Sequence, residues 1–422
     1  MSSARCARRL ALALVALALA APAAASAAVI GFGDQNASVF ADARLRALGL
    51  PVARLVVPWD AATSQPDRVA AWLAAVAAAG MRPHVAFEHL TSDRCPGSPC
   101  TAPSRAAYAA AVRRFIARFP QVRTYTTWNE ANHASQPVSS RPEAVAGYYE
   151  ELVAACGGCT VVAGDVLDSG SYVRWLQRFQ AATSARPRLW GLHNYGDVTH
   201  ATTTGTDDVL ATVTGALWIE ETGGIVVLRN SSGAVTLSSN ETRAAASIDR
   251  AFALLAGRPR ITRMYVYHWK GTTGGRFDAG LVRPDDSLRP SYAAVVRGIA
   301  AQATATAAAT LRWTATWSRA RRGVLLVRAR CRTASGRCTG RVALSLRTRR
   351  RAAAPARVAQ LRARSYRTTA ARPVQTLRIA VGRRLRARLR AAGTRRRRLR
   401  VRPATPAGAA STTTLALARP SG

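Results

Sequence analysis

The stretch Ala216-Leu217-Trp218-Ile219-Glu220-Glu221-Thr222-Gly223 is an apolar run that stops on a carboxylate, and residues 122–128 followed by Asn129-Glu130 are built the same way. Apolar, β-branched and aromatic runs bounded by turn signals read as buried strands, so each stretch sets a Glu at a strand's C-terminal end. Working outward, eight such runs lie between Val29 and Ala300: residues 29–33, 52–57, 82–87, 122–128, 160–164, 189–192, 216–220 and 261–267. Ala/Leu/Arg segments with helical periodicity separate them, most clearly residues 66–79 and 105–119. Strands alternating with helices imply a parallel sheet, and eight units in roughly 270 residues match a (β/α)8 TIM barrel. A doubly wound open sheet competes, but no strand is followed by a Gly-x-Gly-x-x-Gly turn. Residues at the C-terminal ends of barrel strands face the pocket, which makes both Glu sites candidates for chemistry.

Composition divides the chain. Residues 301–422 hold 31 Arg and no Asp or Glu, so they carry +31 of the formal net charge of +39. All 22 acidic residues lie in residues 1–300. The reading is a signal peptide over 1–28, a barrel over 29–300, a linker over 301–310 and an Arg-rich domain over 311–422. In the last, runs alternating apolar residues with Arg or Thr predict a small all-β, sandwich-like domain with one wet face. Residues 385–392 read as a short helix or a further strand. Lys270 is the only lysine, which points to a GC-rich genome as much as to selection for charge.

Arg5, Arg8 and Arg9, the apolar residues 10–20 and the small residues ending at Ala28 form a secretory signal, too short to span a bilayer. No later stretch is long enough for a transmembrane helix. We expect a secreted or extracytoplasmic monomer. Six of the seven cysteines follow the signal as near neighbours: Cys95 with Cys100, Cys156 with Cys159, Cys331 with Cys338. In an exported chain these read as local disulfides. The spacing of Cys156 and Cys159 also suits zinc, but loops at opposite barrel ends cannot pool the pairs around one ion, so no metal is expected.

Two carboxylates across a cleft are the minimum for cleaving a glycosidic bond, one protonating the leaving oxygen and the other meeting the oxocarbenium-like carbon. Trp128-Asn129-Glu130 and Trp218-Ile219-Glu220-Glu221-Thr222-Gly223 resemble the fourth- and seventh-strand motifs of the large clan of retaining (β/α)8 glycosidases that includes many cellulases, mannanases and xylosidases. The resemblance covers about residues 29–300. It implies that Glu130 is the acid/base, Glu221 the nucleophile, and Asn129 the partner of the sugar hydroxyl beside the anomeric carbon. Arg54 would keep the nucleophile ionised, His193 and Tyr195 would line the subsite, and Trp269 would be the aromatic floor. Glu220 departs from the clan, which often has a small polar residue there; strand alternation argues that Glu220 and Glu221 do not both enter the pocket, and the spacing favours Glu221. The pair needs opposite protonation states, so Glu130 is expected raised towards neutrality and Glu221 ionised.

Other strand-end residues have blander readings: Glu88, Asp60 and Asp165 as caps or rim groups, Trp59 as core packing and His133 as a rim group. Absence of a Gly-x-Ser-x-Gly turn argues against an esterase. The function read here is a secreted glycoside hydrolase acting on a carbohydrate, probed against a non-catalytic carbohydrate-binding barrel. The basic tail could attach to anionic cell-wall polymers by counterion release. Export and the scarcity of aromatics among its Arg make nucleic acid a poor partner. No cofactor is implied, since carboxylates suffice. The loops 88–103, 132–141 and 196–208 suggest an open cleft.

Overall fold

The computed structural model describes residues 28–318, 324–331, 339–348, 357–367, 374–380, 397–404 and 413–416. The expected signal segment, Cys338 and residues 385–392 lie outside these. The first part contains strands β1 (Val29–Gly33), β2 (Val52–Pro58), β3 (Arg82–Glu88), β4 (Thr124–Thr126), β5 (Thr160–Val162), β6 (Asp165–Leu167), β7 (Leu189–His193), β8 (Ala216–Thr222), β9 (Val227–Arg229), β10 (Val235–Leu237), β11 (Ile261–Tyr267) and β12 (Phe277–Asp278). Its helices are α1 (Ala43–Ala47), α2 (Ala61–Ser64), α3 (Pro66–Ala78), α4 (Arg105–Arg118), α5 (Pro142–Ala155), α6 (Tyr172–Ala182), α7 (Tyr195–His200), α8 (Thr204–Thr212), α9 (Glu241–Ala256) and α10 (Pro290–Thr310).

Nine strands form one parallel sheet in the order β5-β4-β3-β2-β1-β11-β8-β7-β6. Its two end strands are halves of one segment. On the β4 side Thr127 N donates to Val162 O (3.1 Å) and Ala131 N to Asp165 O (2.8 Å); on the β7 side Ala163 N donates to Leu189 O (3.0 Å) and Gly191 N to Gly164 O (2.8 Å). The sheet therefore closes on itself, with residues 160–167 as the fifth staves of a (β/α)8 barrel and β7, β8 and β11 as the sixth, seventh and eighth. The strands β9, β10 and β12 form a separate three-stranded flap.

Helix periodicity explains how the barrel is clad. In α3 the buried Val69, Trp72, Leu73 and Val76 recur at i, i+3, i+4 and i+7 behind a Pro in the first turn. Helix α4 repeats the pattern with Tyr108, Ala111, Val112 and Phe115, and Ser104 caps it by accepting from Ala107 N at 3.2 Å. Between these helices and the sheet, Phe87 stacks on Tyr125 (6.0 Å) and meets Phe115 edge-on (5.2 Å), while Tyr108 stacks on Tyr148 (4.4 Å). Tyr108 also donates its hydroxyl to Thr127 O at 2.8 Å. The aromatic layer thus grips the backbone that presents Asn129 and Glu130.

Three expectations need adjustment. The residues expected as a linker, 301–310, are helical, continuing α10 to Thr310, and β13 (Leu311–Ser318) follows. The segment 196–208 is mostly helix, in α7 and α8, rather than an open loop. The fourth strand is shorter than its apolar run, because the chain turns away after Thr126. Cys95–Cys100 and Cys156–Cys159 are disulfides, so the second pair is closed on itself rather than open to zinc.

Beyond α10 follow β14 (Val324–Cys331), β15 (Thr339–Thr348), β16 (Arg357–Arg367), β17 (Val374–Ala380), β18 (Arg397–Ala404) and β19 (Thr413–Ala416). They form two antiparallel sheets, β13-β14-β17 and β16-β15-β18-β19. In the first, Val327 pairs with Leu377 and both are buried, whereas Thr376, one residue along, is exposed. That is the period-two pattern of a sheet with one wet face. Among the described residues no helix is long and apolar enough to cross a membrane.

Gly191 marks a tight point of the barrel interior: a Cβ there would lie 2.8 Å from Glu220 Cγ and 2.9 Å from Asp165 Cβ. Overpacking of this kind costs about 1–3 kcal/mol. Gly191→Ala is expected to lower the thermal unfolding midpoint by several degrees, whereas Gly157→Ala, with nothing within 4 Å of the new Cβ, leaves it unchanged.

Candidate active site

Strand alternation selects which side chains enter the barrel. Arg54 on β2, His84 on β3, Thr126 on β4, Asp165 on β6, Glu220 on β8 and Tyr265 on β11 are joined in the interior by hydrogen bonds and ion pairs. Arg54 is at the centre. Its Nε donates to Glu220 Oε2 (3.0 Å), one terminal nitrogen to Glu221 Oε1 (2.8 Å), and the other to Asn129 Oδ1 (2.8 Å) and Asp165 Oδ2 (2.9 Å). Burial opposes charge on this guanidinium, but Glu220, Asp165 and Glu221 outweigh it and hold the group charged. A guanidinium only donates, so the Asn129 amide must turn its oxygen to Arg54 and its NH2 away.

Both Glu220 and Glu221 reach Arg54, which overturns the expectation from simple alternation. The reason is a β-bulge: Leu192 pairs with Ile219 but His193 with Glu221, and on the other side Met264 pairs with Ile219 and Val266 with Thr222. One extra residue in β8 lets consecutive carboxylates point the same way. They sit at different depths. The Glu220 side chain is 0% exposed, while Glu221 is 11% and Glu130 23% exposed. Only the latter two reach solvent. Glu220 instead accepts from Thr126 Oγ1 at 2.5 Å, above His84, which bridges Thr126 (2.8 Å) and Tyr265 (2.9 Å). Burial and then the Arg54 and Arg263 charges hold the His84 pKa well below its usual value. Burial, then the Asp165 charge, pushes Glu220 up to about 7 against the pull of Arg54.

Glu130 follows β4 at φ 43°, the left-handed region that costs a residue with a Cβ about 1–3 kcal/mol. Its neighbours are pinned: Asn129 N donates to Phe87 O (2.7 Å) and Ala131 N to Asp165 O (2.8 Å). The turn aims the Glu130 carboxylate at His193, whose Nδ1 lies 3.0 Å from Glu130 Oε1 and 3.6 Å from Glu221 Oε2. Tyr195 donates to Glu221 Oε2 at 3.3 Å. Glu130, Glu221, Asn129, Arg54, His193 and Tyr195 thus lie together at one end of the barrel.

The protonation pattern is the reverse of the expected one. Burial alone would raise Glu130, but the hydrogen bond and charge of His193, with His133 and Arg54 behind it, leave its pKa below the usual value. Glu221 is raised, by burial first and then by Glu130 and Asp165, against His193 and Arg54.

Trp269 is not the pocket floor. It is 3% exposed, edge-on to Phe32 (6.0 Å) and Tyr292 (6.1 Å), with Nε1 donating to Asp42 Oδ2 at 3.1 Å. The chain has left the barrel by this point, and Trp269 packs outward. Tyr267, in step with the inward-facing Tyr265, joins Tyr195 at the mouth, where its phenol pKa is raised by burial and then by Glu221, Asp34, Glu88 and Glu130. Asp165 is no rim residue either: it is fully buried against Arg54 and His193. Trp59 packs against the core, and His133 bonds Ser135 Oγ at 2.7 Å beside Glu130. Period-two counting from His84 through Ala86 would have found Glu88, which faces inward at the end of β3. Among the described residues no cluster of His, Cys, Asp and Glu is arranged to hold a metal ion.

Residues 103–294 match the family described as glycosyl hydrolase catalytic core. No curated protein sequence matches the chain. Among solved structures, a family 39 glycoside hydrolase from the gut symbiont Bacteroides cellulosilyticus WH2 is similar at TM-score 0.46 and 15% identity, covering 85% of this chain and 82% of that one. Xylanase 10B from Thermotoga petrophila RKU-1 aligns at TM-score 0.49 and 10% identity over 66% of this chain and 95% of its own.

Glu88 has a titration that can be read in stability. Burial, with Glu130 and Glu221 adding to it, pushes its carboxyl up to about 7. A carboxyl raised in the folded state keeps its proton where the unfolded chain has lost it, so its stabilising effect is full below the unfolded value and is lost as pH rises through the folded one. Glu88→Gln is therefore expected to raise the unfolding midpoint at pH 8 and leave it unchanged at pH 4; a thermal unfolding series across pH checks both.

Proposed function

We propose that this protein is a secreted glycoside hydrolase that cleaves O-glycosidic bonds, β-linked, in a poly- or oligosaccharide by a two-carboxylate retaining mechanism. The observation that carries the reading is that Glu130 and Glu221, from opposite sides of the barrel mouth, meet at one imidazole nitrogen and, unlike the carboxylates of Asp165 and Glu220, reach solvent. Sharing one neighbour suits the short separation of retaining enzymes, roughly 5–5.5 Å, better than the roughly 6.5–9.5 Å that leaves room for a water. In the first half-reaction Glu221 attacks the anomeric carbon while Glu130 protonates the leaving oxygen. In the second, Glu130 removes a proton from water, which displaces Glu221 from the sugar.

The surrounding groups fit these roles. Arg54 and Tyr195 orient Glu221 and stabilise its charge. The Asn129 NH2, turned away from Arg54, is placed to donate to the hydroxyl beside the anomeric carbon, where hydrogen bonds strengthen as the oxocarbenium character develops. Tyr267 offers a ring face to the apolar side of a sugar. Export is supported by the N-terminal Arg and apolar segments of the sequence, and the 31 Arg of residues 301–422 suit attachment to anionic wall polymers.

Release of reducing sugar from β-linked polysaccharides and aryl glycosides by the full-length protein tests the reading. Glu221→Gln is expected to lower kcat by about 10⁴-fold or more with the fold intact. Glu130→Gln should slow poor leaving groups by about 10²–10⁴-fold and spare activated aryl glycosides. Binding without release by wild type and variants alike would leave a carbohydrate-binding barrel.

A further inference from the structure

His193 has a carboxylate at each ring nitrogen: Asp165 Oδ2 lies 2.9 Å from Nε2, and Glu130 Oε1 lies 3.0 Å from Nδ1. A neutral imidazole has one N–H and can donate to one side only. The Nδ1 contact is a hydrogen bond, whereas Nε2 approaches Asp165 outside hydrogen-bond geometry, and two arrangements keep a proton on Nε2 facing the Asp165 carboxylate. Either the ring is an imidazolium between two carboxylates, or Glu130 holds the proton and donates it to Nδ1 while Nε2–H faces Asp165. They differ by one proton moved along a 3.0 Å hydrogen bond.

We propose that His193 stores the proton that Glu130 delivers to the leaving oxygen, and that Asp165 is the positioning residue that keeps this store charged. The proposal rests on the glycosidase reading above. In glycosylation the proton passes from His193 Nδ1 to Glu130 Oε1 and on to the glycosidic oxygen as the C–O bond breaks and Glu221 bonds the anomeric carbon. Glu130 is left ionised and His193 neutral. In deglycosylation Glu130 takes a proton from the attacking water, the Glu221–sugar bond breaks, and the proton returns to Nδ1, restoring the starting charges.

Asp165 is suited to this role by its contacts. One oxygen, Oδ2, is 2.9 Å from both Arg54 and His193, so the cation that touches Glu221 and the cation that touches Glu130 are tied to a single buried atom. The other oxygen, Oδ1, is buried without a partner, which leaves the carboxylate's charge directed at these two groups. The charged and titratable groups facing the ring are Asp165 from β6, Glu130 from the turn after β4, Glu220 and Glu221 from β8, Arg54 from β2, and Tyr195 and Asp168 beside α7. Burial disfavours charge on His193, yet Asp165 first and Glu221 next lift its pKa well above the usual value.

The test is a pH titration of the histidine ring nitrogens by NMR in the full-length protein, wild type beside Asp165→Asn, with kcat/KM measured on aryl glycosides of graded leaving groups. Wild-type His193 should show the imidazolium signature at pH 7 and above, and Asp165→Asn the neutral one. The variant should lose about tenfold more on poor leaving groups than on activated ones and move its alkaline limb down by about one pH unit. A neutral His193 in the wild type at pH 7 overturns the proposal even if the variant does not fold. Equal loss on all leaving groups with an unmoved pH profile overturns the role of Asp165. Failure of the wild type to cleave any glycoside overturns the glycosidase reading and the proton's destination, while the titration still decides whether Asp165 holds His193 charged.

Discussion

A fully buried arginine organises this barrel. Taking a guanidinium and several carboxylates out of water costs several kcal/mol per ion, recovered only when geometry is good and the remaining donors are satisfied. Arg54 meets that demand with Glu220, Glu221, Asn129 and Asp165. These partners come from the turn after β4, from β6 and from β8, so the guanidinium can be neutralised only when the barrel is closed. The same interaction that ties the staves together also fixes the Glu221 carboxylate and the orientation of the Asn129 amide.

The layer beneath is polar for the same reason. Glu220, Thr126, His84 and Tyr265 pass hydrogen bonds down the interior where many barrels carry aliphatic layers. Such a network is rigid when satisfied, because each group's alternative is an unpaired polar atom at low dielectric. Its rigidity supports strain above it: Glu130 stays in a left-handed conformation because its neighbours are hydrogen-bonded to β3 and β6. The aromatic layer outside β3 and β4 supports the same turn from the other side. Two kinds of packing, polar within and aromatic without, converge on Glu130.

Charge is graded with depth. Glu220 is sealed and Glu221 and Glu130 meet solvent, so three carboxylates near one cation differ in task. His193 then sets their balance, holding the Glu130 pKa below its usual value while burial raises that of Glu221. Acid/base assignments drawn from roles alone miss this, since the free-site protonation depends on a histidine held between Asp165 and Glu130.

Much was determined by the sequence itself. Eight apolar runs at helix-length spacing specify a closed parallel sheet, and motifs at the fourth and seventh runs locate Glu130, Asn129 and Glu221, because strand and helix periods are local properties of the chain. Tertiary structure decided the rest. The bulge in β8 that turns both Glu220 and Glu221 inward arises from pairing with β7 and β11, so alternation within β8 could not reveal it. Asp165 is indistinguishable from a rim carboxylate until the bent segment 160–167 closes the barrel and buries it. Trp269 was placed by its proximity in sequence to the last strand, yet the path of the chain after Tyr267 sends it outward against Phe32 and Tyr292. Protonation followed contacts between distant strands, which act through distance and dielectric and leave no mark in the order of residues.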